Sequence, residues 1–179
     1  MRKIFMMLCL LSVSSLFSAM AQEAKYPIVK GYGGIYEIPE ATEVPDPNAE
    51  VKIIIDLVSG AEDHKEINAM VNNIARMMNL HGLGGIGKDQ MHVKVAVHGG
   101  AVFSMLNDGA YEKQFGIKNP NIPVFEALKE AGVEIYVCGQ SLIARGFESD
   151  DLWEDTVIAL SMLTTLTKYV PQGYMLLRF

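Results

Sequence analysis

Val133-Glu134-Ile135-Tyr136-Val137-Cys138-Gly139-Gln140-Ser141-Leu142-Ile143-Ala144-Arg145-Gly146 is the stretch that decides the reading of this chain. A β-branched, largely apolar run ends in a thiol, a glycine follows, and a helix-like segment begins. A strand-to-helix turn of this kind sets the Cys138 side chain at the carboxyl end of a sheet. There it meets backbone N–H groups and the positive end of a helix dipole, which favour a thiolate. The alternative is a packed Cys138, since free cysteine is among the most buried residue types.

Working outward, the same alternation recurs on both sides. Residues 51–58 read as a buried strand. Ile67, Met70, Val71, Ile74, Met77, Met78 and His81 recur at three-and-four spacing, which predicts an amphipathic helix over 62–81. A glycine-rich turn leads to a second strand at 91–97. A short helix fits 101–106, and 109–123 reads as loop. Pro123 opens a helix that Gly132 stops, and the third strand, 133–137, leads into a helix over 140–145. A fourth strand near 156–160, a helix over 161–169 and a last strand at 174–178 complete the pattern. Such alternation predicts an α/β layer structure around a mainly parallel sheet.

Ahead of this domain, taken as residues 50–179, the chain changes character. Arg2 and Lys3, the apolar run 4–17 and the small-x-small triplet Ala19-Met20-Ala21 form a signal-peptide pattern over residues 1–21, with cleavage expected before Gln22. The apolar run is too short for a lasting transmembrane span, and the expected location is the periplasm. Residues 22–49 carry Gly31-Tyr32-Gly33-Gly34, the prolines Pro39, Pro45 and Pro47, and several apolar anchors, among them Tyr26, Val29, Ile35 and Tyr36. That composition predicts an extended arm packed on the domain or on a neighbouring subunit, because disordered leaders are usually poorer in aromatics.

Loss of the leader removes Cys9, leaving Cys138 as the single thiol, so no disulfide forms within the mature chain. A leftover cysteine in an oxidising compartment points to intermolecular pairing, reactivity or burial. Loss of Arg2 and Lys3 takes the formal charge from −6 to −8. That balance argues against nucleic acid and anionic membrane surfaces as partners.

Two nucleotide motifs are decoys. Gly82-Leu83-Gly84-Gly85-Ile86-Gly87 matches G-x-G-x-x-G, and its extension through Lys88 approaches a phosphate-binding loop. Both motifs need a strand, then glycines, then an opening helix. Here a helix precedes and a strand follows, and Asp89 stands where a hydroxyl is required. The histidines do not form a metal set: His64 and His81 are too far apart, and His92 and His98 share a strand face beyond joint reach of one ion. No cofactor is expected. His98-Gly99-Gly100 closes the second strand at the sheet edge that also bears Cys138, and Asp56 stands near the end of the first.

Several segments together resemble the DsrE/DsrF-like sulfur-relay family, in particular its exported single-domain members. They are Gly31-Tyr32-Gly33-Gly34, Val97-His98-Gly99-Gly100, Asn119-Pro120-Asn121, Leu128-Lys129-Glu130-Ala131-Gly132, Val137-Cys138-Gly139-Gln140-Ser141-Leu142 with Arg145-Gly146, and Gln172-Gly173-Tyr174. The resemblance implies a three-layer, doubly wound α/β domain with a five-stranded, mainly parallel, flavodoxin-like sheet, and assembly into a trimer or its multiple. It also implies that the cysteine of this turn, Cys138, accepts a persulfide sulfur and hands it on. The sulfur-relay members work in the cytoplasm with sister subunits, whereas this chain carries an export signal, so donor and acceptor stay open.

In the flavodoxin-like order 2-1-3-4-5 the first and third strands are neighbours, which sets Asp56 across a crevice from Cys138. Gly139 makes the turn, Gln140 and Ser141 offer backbone donors, His98 lies at the same edge, and Arg145 reaches a subunit, a loop or an acidic residue. The expected function is a sulfur carrier using Cys138. A non-catalytic oligomeric scaffold with a packed Cys138, and a small-molecule binder at the crevice, are the competing readings.

Overall fold

The computed structural model of the protein describes residues 22–179; the expected leader, 1–21, lies outside them. Five strands form the sheet: β1 (Val51–Leu57), β2 (Met91–Val97), β3 (Glu134–Cys138), β4 (Val157–Ala159) and β5 (Met175–Arg178). All four pairings are parallel, in the order β4-β3-β2-β1-β5. This corrects the expected flavodoxin-like order. β2, not β1, is the neighbour of β3, so the crevice placing Asp56 opposite Cys138 does not form. The first four strands step one way across the sheet, and the chain returns over one face to add β5 beside β1.

Five α-helices accompany the strands: α1 (Ala69–Leu83), α2 (Asp108–Phe115), α3 (Ile122–Glu130), α4 (Gly139–Ile143) and α5 (Met162–Tyr169). Side chains alternate across each strand. The odd-numbered Ile53, Ile55, Leu57, Val93, Val95 and Val97 meet Val71, Ile74 and Met78 of α1 and Phe125 and Leu128 of α3 in one buried cluster. Full burial of each such side chain stabilises the fold by about 1.5–3 kcal/mol. The even-numbered face is different. It presents Ile54, Asp56, Lys94, Ala96, Tyr136 and Cys138, and α5 packs across β1, β2 and β3 on this side. Helices on both faces make the three-layer architecture.

Two helix expectations needed correction. The first helix begins at Ala69, not residue 62, because Asn68 caps it: its Oδ1 accepts from Met70 N at 2.9 Å, and its own N–H donates to Asn121 Oδ1 at 2.8 Å. Asp63 closes a local turn instead, accepting from Lys65 N at 2.8 Å. The segment expected as loop contains α2, whose N-cap Asn107 accepts from Ala110 N at 2.8 Å and whose C-terminus is closed by Gly116 at φ 75°. Its caps are those of a helix, but Tyr111 is its one buried side chain, so apolar periodicity carried no signal.

The arm packs on α1 of its own chain. Val29 and Ile35 are fully or almost fully buried. Asn79, itself buried, accepts from the N–H groups of Ile28 and Val29 at 2.9 and 2.8 Å and donates to the carbonyls of Val29, Tyr32 and Gly33 at 2.9–3.2 Å. Gly33, at φ 61°, lies so close to α1 that a Cβ there would stand 2.1 Å from Arg76 N. Gly82, the first glycine of the decoy, is required by the same packing, since a Cβ would stand 2.4 Å from Ile28 Cγ1. The decoy glycines follow the carbonyl end of α1, where Gly84 N and Ile86 N donate back to Leu80 O and His81 O at 3.1 Å.

Candidate functional site

Cys138 ends β3 and is the residue before the first turn of α4, so a single φ,ψ pair (−72°, 111°) turns the chain from strand to helix around the thiol. Gly139 follows because β4 passes close by: a Cβ there would stand 3.0 Å from the Ala159 carbonyl oxygen. The thiol is free, and Cys138 retains 4% of its surface exposed.

Its surroundings are polar for so buried a place. Burial pushes the Cys138 thiol up. Against this act the neighbouring Ser141 hydroxyl, the Met162 and Ser141 N–H groups and the Ser161 hydroxyl, which favour a thiolate as hydrogen-bond donors, and the net result lies below the ordinary thiol value. Ser161 Oγ is 3.9 Å from Sγ. A ring of N–H and O–H donors is complementary to a sulfur anion, since hydrogen bonds to the charged form favour it. The helix dipole has a smaller part than expected, because α4 has five residues and a helix so short carries little macrodipole.

Two of these donors come from an element the sequence reading did not associate with the thiol. Ser161 is the N-cap of α5, its Oγ accepting from Leu163 N at 3.2 Å, and Met162 is the first residue of that helix. The proximity of Ser161 to Cys138 was not legible in the sequence, because it depends on β4 pairing Ala159 with Cys138, which brings the next turn beside the sulfur.

The other expected site residues divide. Ser141 is at the thiol as expected. Gln140 is exposed, and its side chain does not reach Sγ. Arg145 donates to the Ser141 carbonyl at 3.3 Å and lies 5.9 Å over the Phe103 ring, so it braces the turn from outside. His98 is one step beyond the last β2–β3 pair, Val97↔Val137, and so stands beside Cys138 at the strand ends. Its Nε2 is engaged by Asp56 Oδ1 at 2.6 Å, and Asp56 Oδ2 is 3.6 Å from Arg178 Nε. Asp56 is therefore two strands from Cys138, roughly 10 Å by strand spacing, and acts on His98 rather than on the thiol. Gly99 and Gly100 serve packing: a Cβ on Gly99 would stand 2.7 Å from Val58 Cγ2. Among the described residues no cluster of three or more His, Cys, Asp or Glu side chains is placed to hold a metal ion, and no helix is long and apolar enough to cross a membrane.

A comparison with curated proteins finds no match. Among solved structures the chain is similar to MTH1491 of Methanobacterium thermoautotrophicum, a protein of unknown function, with 17% identity and a TM-score of 0.53 over 72% of this chain and 99% of that one. It is also similar to YchN of E. coli, with 15% identity and a TM-score of 0.50 over 72% and 100% of the two chains. These likenesses concern the fold. The DsrE/DsrF-like family profile matches residues 52–179, which takes in every strand from β1 to β5 apart from Val51, together with the Cys138 turn and the cap of α5. The chain belongs to the DsrE/DsrF-like family.

Proposed function

We propose that the protein is an exported, periplasmic sulfur carrier that holds a persulfide on Cys138. The observation that supports this reading best is the donor ring around Sγ, made by Ser141, Ser161 and Met162, which favours the thiolate despite burial. Membership of a family associated with sulfur relay adds to it. In the reaction, the Cys138 thiolate attacks the sulfane sulfur of a donor persulfide. An Sγ–S bond forms, the donor S–S bond breaks, and the donor leaves as a thiolate. An acceptor thiolate then attacks the terminal sulfur and releases Cys138. The exchange is redox-neutral and follows ordinary thiol–disulfide chemistry. No cofactor enters it.

The test is intact-mass spectrometry after incubation with inorganic polysulfide and removal of the excess. The parent protein should gain the mass of sulfur atoms, reversibly with a reducing thiol, and Cys138→Ser should gain none. Equal loading of both, or of neither, would overturn the carrier reading. The second reading, an oligomeric scaffold with a packed cysteine, draws on the low exposure of Cys138. It requires that Cys138 be labelled only after denaturation.

A homo-oligomer, with a trimer or its multiple expected from the family, belongs to the same proposal. Val157 and Ile158 on β4, Leu160 just after it and Leu163 on α5 are exposed, as are Met175 and Leu176 on the opposite edge strand β5, and exposed apolar surface on this scale is buried by association. Light scattering that gives a monomer mass at micromolar concentration would refute it.

A further inference from the structure

The most anomalous side chain in the described structure is Lys94, a lysine in the middle of β2 with 6% of its surface exposed. Lysine is almost never so buried unless paired. Lys94 pairs with Glu134, directly across the β2–β3 ladder, and its Nζ lies 4.6 Å over the Tyr169 ring and 5.3 Å from the Tyr174 ring. The Tyr136 hydroxyl bonds Glu134 and stands 3.0 Å from the Tyr169 hydroxyl. Burial, then the bonds to Glu134 and Tyr169, push the Tyr136 phenol up, so it stays a neutral donor. The group ties the carboxyl end of α5 to the even-numbered face of β2 and β3.

The opposite end of the same helix carries Ser161 and Met162. A helix of eight residues is a rod of roughly 12 Å, and fixing one end constrains the other. Buried Thr165 keeps the intervening turn against the sheet, its Oγ1 donating to Ser161 O at 3.1 Å. Tyr136 and Cys138 are two residues apart on one face of β3, so both ends of α5 are referred to the same strand.

We infer that Lys94, Glu134, Tyr136 and Tyr169 are positioning residues that hold the amino end of α5 against Cys138. They set the acidity of the thiol from the far end of the helix without touching sulfur. Such an arrangement gives the burial of the Lys94 ammonium, which pairs with the half-exposed carboxylate of Glu134, a purpose other than stability. The charged and titratable groups on the elements packed around the thiol are His98 just after β2, Asp56 of β1, Arg145 from the turn after α4, Lys168 of α5 over the Tyr169 ring, and this cluster along the sheet. The thiol's hydrogen-bond donors are hydroxyl and N–H groups, not these side chains. The inference rests on the Cys138 site proposed above but not on sulfur transfer.

The experiment measures the pH midpoint of Cys138 alkylation by iodoacetamide in the full mature protein. A midpoint, unlike a rate, is insensitive to a general change in access. Ser161→Ala should lower the thiolate fraction at pH 7 about tenfold, as loss of a hydrogen bond to a charged acceptor implies. Tyr169→Phe, which keeps the ring and removes one hydroxyl, and Lys94→Met should each move the midpoint in the same direction. The double variant Ser161→Ala/Tyr169→Phe should move it less than the two single shifts added, because both act through one contact. Circular dichroism confirms folding, and Tyr169→Phe remains informative if Lys94→Met does not fold. A midpoint unmoved by Tyr169→Phe while Ser161→Ala raises it, or full additivity, would overturn the inference. Polysulfide loading of the same variants is read separately, so either proposal can fail alone.

Discussion

Asn79→Ala removes the five hydrogen bonds that fasten the arm to α1. At a net 0.5–1.5 kcal/mol each, their sum is about 2.5–7.5 kcal/mol. A ceiling comes from the arm itself. If it lifts off, its backbone groups regain water, and the loss is limited to what docking contributed. Burial of Val29 and Ile35 contributes about 1.5–3 kcal/mol apiece, or about 3–6 kcal/mol together. The two bounds overlap at about 3–6 kcal/mol, which for a chain of this size lowers the melting temperature by about 6–24 °C if the arm and domain unfold together. Thermal melts of parent and variant are paired with limited trypsin digestion, which reports release of the arm at Lys25 and Lys30. Asn79→Asp should be no better than alanine. It keeps an acceptor for Ile28 and Val29 but turns an oxygen toward three carbonyls. A variant that melts within about 1 °C of the parent, with an arm no more readily cut, would refute the claim that this one side chain fastens the segment.

Other outcomes follow from the site and the decoy. Gly139→Ala should destabilise the protein by about 1–3 kcal/mol in chemical denaturation, because the added methyl meets the Ala159 carbonyl and must move β4. The lowered pKa of Cys138 fixes a sign for stability against pH. A group ionising more readily in the folded state contributes stability that is fully present above its unfolded value of about 8.5 and is lost as pH falls through the folded value. The stability of the parent relative to Cys138→Ser should therefore rise between pH 7 and pH 9, and a difference that is flat or falls would contradict the donor ring. Lys88→Ala should change stability by no more than about 0.5 kcal/mol, and ATP or NAD should not shift the melting temperature of either form. A shift of several degrees lost in the variant would restore the phosphate loop.

The sequence by itself determined the α/β class, the run of five strands and the thiol turn. Each of these depends on local physics: β-branched runs bounded by glycine, apolar residues at three-and-four spacing, and a cysteine where strand gives way to helix. The same directional logic disposed of Gly82–Lys88, since glycines after a helix present carbonyls rather than N–H groups. Local signals also misled. Apolar spacing ran α1 backward past Asn68, whose capping role rests on a partner at Asn121, and α2 hid because a surface helix needs little periodicity. Strand order was beyond reach, because β1 reads as the same kind of buried strand whichever strands lie beside it. Asp56, expected across a crevice from the thiol, therefore belongs to His98. What only the tertiary structure decided is the company Cys138 keeps. Ser161 and Met162 lie more than twenty residues along the chain, and they become its donors because β4 pairs with β3 and α5 then folds back over the sheet. Lys94, an ordinary charge in sequence, is buried for the same reason: the helix that supplies the donors also covers it.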